Sequence, residues 1–151
     1  MTPSARLGMI EDFLDRLLTN HRIPMDSLMG DYFRARRFIG SKDRADMAER
    51  TYTIMRHFAR LTWWAEKLDI TPDARHLALL YLVLVERLSP SALDSLYDGS
   101  RYGASQLDES ERALIRDLAG RDLHAPDMPP AVRYECPPEH VERLIRIFTS
   151  P

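Results

Sequence analysis

Apolar side chains recur along this chain at spacings of three and four, and hardly anywhere in strict alternation, so the pattern predicts helices and gives strands little support. Thr2 caps a first helix that Pro3 opens, with Leu7, Ile10, Leu14, Leu17 and Leu18 on one face and an end near Asn20. A short helix follows Pro24 through Met25, Leu28, Met29, Tyr32 and Phe33, and Phe38-Ile39-Gly40 breaks it. Ser41 is then expected to cap the longest helix, which runs unbroken from Lys42 into Trp63-Trp64 with Asp43 near its positive end. Thr71-Pro72 opens the next by the same logic. Its Leu77, Leu80, Tyr81, Leu84, Val85 and Leu88 are apolar on so much of the circumference that it should be the central core helix.

Ser89-Pro90 restarts the chain into a short helix through Leu93, Leu96 and Tyr97, which ends in the turn Asp98-Gly99-Ser100-Arg101-Tyr102-Gly103. Asp108 with Glu111 three residues later reads as a capping box, and Gly120 as the stop for the helix bearing Leu114, Ile115 and Leu118. The expected organisation is an all-α bundle over 1–120 and a connector over 121–138 punctuated by Pro126, Pro129, Pro130, Pro137 and Pro138. A final amphipathic helix over 139–151 carries Val141, Leu144, Ile145 and Phe148.

With 151 residues, 44% of them hydrophobic and 29% charged, the chain is long enough for one domain with a real core. The single cysteine, Cys136, has no partner for an internal disulfide, and the scattered histidines have no zinc-ligand spacing, so a cytoplasmic, metal-free protein is expected. Glu11, Asp12 and Asp15 interrupt the first twenty residues, unlike a signal peptide, and no stretch approaches the ~18 apolar residues of a membrane span.

Charge changes the picture more. Between Arg34 and Arg60 there are eight Lys/Arg against three acids, a local +5 within a chain whose net charge is −2, so the rest carries −7. Such an island is an electrostatic footprint for phosphates, and its candidate RNA contacts are Arg34, Arg36, Arg37, Lys42, Arg44, Arg56, His57 and Arg60. On a wheel of ~100° per residue Glu49, Thr53, Arg56, His57 and Arg60 share one solvent-facing arc of the long helix. The competing reading is that these cations only solubilise that face. Tyr32, Phe33 and Phe38 interleave with the cations and suit base stacking, although core packing is the favoured reading for all three. His57 is a phosphate contact or a proton shuttle, at most one of Trp63 and Trp64 is fully buried, and the turn at 99–103 is either an anion nest of backbone amides or a plain connector.

The segment DYFRARRFIGSKDRADMAERTYTIMRHFARLTWW, with its GSKDR turn followed by an R-H-x-x-R helix, resembles the N-terminal domain of the RsmB (Sun/Fmu) family of ribosomal RNA cytosine-5 methyltransferases. The DGSRYG turn, the Leu-rich helix and the proline-punctuated connector extend the likeness over most of the chain. The resemblance implies a NusB-like helical bundle that binds RNA, here 16S rRNA, and positions it for a following catalytic domain. S-adenosylmethionine would be that parent enzyme's cofactor. This chain has no strand, glycine-rich turn and helix to hold it, and Cys136 in Glu-Cys-Pro-Pro matches neither cysteine motif of the family, so the chain itself is expected to have no cofactor and no catalytic residue. In the alternative, the basic face docks an acidic protein, such as a ribosomal or transcription factor or the chain's own catalytic domain, without touching RNA. Two charge reversals frame these readings: Arg36, Arg37 and Arg44 to Glu should abolish RNA binding without touching the core, and Glu109 and Glu111 to Lys should be harmless.

Overall fold

A computed structural model describes residues 1–20 and 22–133, and among them every regular element is helical. The order is α1 (Pro3–Thr19), α2 (Met25–Arg34), α3 (Ser41–Arg56), α4 (Phe58–Lys67), α5 (Ala74–Leu84), α6 (Pro90–Leu96), α7 (Glu109–Leu118) and the single turn α8 (Pro130–Arg133). The final helix expected over 139–151, and the last part of the connector, lie outside the described residues.

The local stop and start signals explain most boundaries. The Thr2 hydroxyl accepts the Ala5 amide with Pro3 in the first turn, Ser89 does the same for Ala92 ahead of Pro90, and Asp108 and Glu111 form the reciprocal capping box. Gly120, at φ 86°, takes the left-handed conformation just past α7 that a side chain would resist. Two caps differ from expectation. Gly40, not Ser41, precedes α3 and no side chain caps it, so Ser41 is the first helical residue. Thr71-Pro72 lies ahead of α5 and the cap is Asp73, whose carboxylate accepts the His76 amide at 2.9 Å.

The expected single long helix is two. His57, at φ −95° and ψ 12°, lies between α3 and α4, and its amide is shared between the Thr53 and Ile54 carbonyls at 3.1 and 3.2 Å. Just upstream the Thr51 and Thr53 hydroxyls each donate to the carbonyl four residues back, at 2.8 Å. Such back-bonding weakens the ladder and bends helices. Beyond the joint, α4 runs deeper into the bundle, burying Phe58, Ala59, Leu61, Thr62, Trp64 and Ala65.

At the centre, α5 is buried at every residue from Leu77 to Leu84 and packs against α1, α3, α4 and α7. Each fully buried leucine there contributes about 1.5–3 kcal/mol relative to exposure, so this helix organises the domain. Leu7, Ile10, Phe13, Leu14 and Leu17 of α1 close over it. The segment after Gly120 is a packed strap as far as it is described: Ala125 and Met128 are buried, the Trp64 indole N–H donates to the Leu123 carbonyl at 2.7 Å, and Lys67 pairs with Asp127. Trp64 is buried and Trp63 only partly, as the helical phasing expects.

Candidate nucleic-acid interface

Cations are dense where α2 turns into α3, because Arg34, Arg36, Arg37, Lys42 and Arg44 all fall at the end of α2, in the connection or in the first turn of α3. The Arg36 amide donates to Phe33 O at 3.0 Å, the Ile39 amide to Arg36 O at 3.1 Å, and the Arg44 amide to Gly40 O at 2.9 Å. Ile39 plugs the turn into the core with 1% of its surface exposed, which fixes the neighbouring backbone.

The eight candidate residues then divide by what they touch. Arg36 lies 3.7 Å from the Tyr32 ring centroid, donates to Tyr32 O at 3.2 Å and stands 3.8 Å from the Asp12 carboxylate. The Tyr32 hydroxyl donates to the same Asp12 at 2.8 Å, and burial first, then that bonded carboxylate, raises its pKa above the ordinary phenol value. Arg44 donates from Nε to Ile39 O at 2.8 Å and stands over the Phe33 ring. Arg34 pairs with Asp31 one turn back. Arg36 and Arg44 therefore hold the turn together while Arg34 is occupied by an exposed pair within α2, and reversing Arg36 or Arg44 would damage the turn, contrary to the expectation that the triple reversal leaves the core untouched.

Arg37, Lys42 and Arg56 are exposed and make no hydrogen bond or ion pair among the described residues. They are the cations whose donors remain open to a ligand. Arg60 is half-buried, and its Nε has no hydrogen-bond partner among the described residues. His57 is only 8% exposed, so the arc that placed it with the arginines on the solvent face is corrected: it is buried at the joint between α3 and α4, where the helical phasing is interrupted. Nor is the basic island continuous. Lys42 and Arg56 share a side of α3 but are about 21 Å apart at 1.5 Å per residue, with exposed Glu49 between them.

Of the three aromatics, Tyr32 is buried edge-on against Phe13 at 5.3 Å and Phe33 is half-buried, as core packing expects. Phe38 departs from that expectation. It stands 74% exposed on the turn, where Ile39 next to it fills the core position.

In the turn at 98–103 the Gly99, Ser100 and Gly103 amides are all occupied internally. The Ser100 amide donates to the Asp98 carboxylate at 3.0 Å, the Ser4 hydroxyl donates to that carboxylate at 2.7 Å, and the Gly99 and Gly103 amides bond Ala104 O and Ser100 O. Asp98 is the anion that this turn binds, and those hydrogen bonds, the Ser100 amide foremost, lower its pKa. The Ser4 oxygen also accepts the Ala104 amide at 3.0 Å, and a Cβ on Gly103 would come within 2.1 Å of that oxygen. No residue but glycine fits there.

One polar cluster has no counterpart in the sequence reading. Arg75 of α5 grips Glu111 of α7 with two bonds, Nε to Oε2 at 2.7 Å and a terminal nitrogen to Oε1 at 3.0 Å, and donates to Ser105 O and Gln106 O. Its guanidinium lies 4.9 Å from the Tyr97 ring centroid. Burial pushes Glu111 up, but the Arg75 bonds and the Asp108 amide outweigh it, and its pKa ends below the ordinary value. Glu11 of α1, beside this pair, is raised to about 7, chiefly by burial and against the attraction of Arg75. Glu111 is 6% exposed, so it is no harmless surface control. The available signal was the one arginine in the most apolar helix, whose partner Glu111 lies thirty-six residues further along the chain.

Among the described residues no group of three or more His, Cys, Asp or Glu is placed to hold a metal ion, and no helix is long and apolar enough to cross a membrane. No known protein family, curated protein or solved structure matches the chain.

Proposed function

We propose that this chain is the RNA-engaging module of an S-adenosylmethionine-dependent methyltransferase that modifies cytosine C5 in 16S rRNA, serving to position the substrate for a catalytic domain. The observation that carries the reading is the trio Arg37, Lys42 and Arg56, whose donors are exposed and unpaired while the arginines around them are tied internally. The RsmB-like wording of residues 31–64 supports the family part. Open guanidinium and ammonium groups bind phosphate oxygens, and contacts of this kind provide affinity and register more than sequence choice.

The test is the salt dependence of binding to single-stranded 16S rRNA fragments. Each phosphate contact contributes about 0.7 to the log–log slope, so changing Arg37, Lys42 and Arg56 together to Glu should flatten it by about 2 and weaken binding at low salt. These residues have no internal partners, so helical content should be unchanged. Unaltered affinity in the triple variant, or no binding by the wild type at low salt, would transfer the basic face to an acidic protein partner or to the catalytic domain.

A further inference from the structure

Among the described residues Phe38 is the most exposed large apolar residue besides Tyr102, and its backbone is held: the Ile39 amide and carbonyl on its C-terminal side are bonded to Arg36 O and Arg44 Nε, and the Ile39 side chain is buried in the core. Exposed in this way, the ring contributes nothing to folding and its faces remain available to a ligand. The turn stays open two residues on, where a Cβ placed on Gly40 would meet nothing within 4 Å. Arg37 immediately precedes it and Lys42 follows within one turn, both with open donors. An exposed planar ring flanked along the chain by two unpaired cations has the makeup of a single-stranded nucleic-acid site, where bases stack on the ring and cations take the flanking phosphates.

We infer that Phe38 is a stacking platform for one unpaired RNA base, so that this face selects single-stranded over fully paired RNA. The inference rests on the RNA-binding reading above and adds the form of RNA that is recognised. A paired base keeps both its faces against its neighbours and offers none to Phe38, whereas a loop or strand does. Tyr102 serves as the comparison, since it is equally exposed at 74% with Arg101 5.2 Å from its ring, but it belongs to a turn that already carries its own anion, the Asp98 carboxylate bonded by the Ser100 amide.

The experiment measures binding of a short mixed-sequence single-stranded RNA, and of a fully paired hairpin of the same length, to wild type, Phe38→Ala, Phe38→Trp and Tyr102→Ala. Loss of one base stack is worth about 1–3 kcal/mol, or roughly 5- to 150-fold. Phe38→Ala should show that loss on the single strand, little on the hairpin, and an unchanged salt slope because no cation is removed. Phe38→Trp should retain affinity and show indole quenching by the single strand beyond the wild-type signal, and Tyr102→Ala should bind as wild type. Equal losses on both RNAs, no loss at all, no quenching, or the same loss at Tyr102→Ala would each overturn the inference while a salt-dependent wild type kept the RNA reading. A wild type that binds neither RNA but binds polyglutamate through Phe38 would overturn both and make this face a protein-docking surface.

Discussion

The Arg75 cluster and the α2–α3 turn both bring guanidinium groups beside aromatic rings and carboxylates, yet they place the open donors differently. Arg75 is bonded to a buried carboxylate and two carbonyls beneath a loop, linking α5 to α7, and exposes no obvious handle to a ligand. At the turn, Arg36 and Arg44 behave in the same inward manner while Arg37 and Lys42, their sequence neighbours, face out with nothing bound. Local charge density therefore overstates a binding face. What counts is how many cations remain after the fold has taken its share.

The sharpest way to break this contrast is to remove Arg75. Arg75→Ala leaves the Glu111 carboxylate buried without its partner and should destabilise the domain by about 3–5 kcal/mol in urea titration, while replacing both partners with apolar residues should recover much of the loss. A cost below that of an ordinary surface change would mean that the cluster is solvated after all.

Next in size is the pH response of Glu11. Its pKa is raised in the folded state from 4.5 to about 7, so the folded chain holds a proton that the unfolded chain releases. The associated stability is fully present below pH 4.5 and is lost as pH rises through 7, amounting to about 3 kcal/mol at 1.36 kcal/mol per unit. Glu11→Gln should remove this slope, leaving the variant more stable than wild type at pH 8. Parallel pH profiles for the two proteins would place Glu11 in water. Asp98 works in the opposite direction: its lowered pKa makes the turn at 98–103 lose support only as pH falls through the folded-state value.

The smallest effects separate neighbours at the turn. Arg36→Ala removes a cation stacked on Tyr32 and should cost about 1–2 kcal/mol, whereas Arg37→Ala should stay within about 0.5 kcal/mol and show itself only in RNA binding. Matching thermal shifts for the two would erase the division between inward and outward cations.

Much of the fold was legible because its signals are short-range. Thr2, Ser89 and Asp108 bond amides three residues on, and the all-apolar run of α5 admits only burial. The misplaced features depend on choices that spacing does not encode: whether Gly40 or Ser41 precedes α3, and whether threonines bonding back to their own helix bend it at His57. For the site, Arg36 and Arg37 are adjacent and chemically identical, and only the placement of Asp12 and Tyr32, twenty residues apart, decides which one is occupied. The same holds for Arg75 and Glu111, thirty-six residues apart, and for Phe38, whose exposure follows from Ile39 having taken the core position.

The Ser4 contact has a consequence for the order in which the protein is made. Its hydroxyl accepts the amide of a residue 100 positions later, and Gly103 admits it with no room to spare. Synthesis at roughly 5–20 residues per second means that the amino-terminal turn leaves the ribosome about 5–20 s before its last partner exists. The loop it closes is among the longest the domain must form, and the entropy of closure rises with loop length. The residues that open α1 are thus among the last of this domain to be locked, and until then the start of α1 stays open to whatever meets the nascent chain.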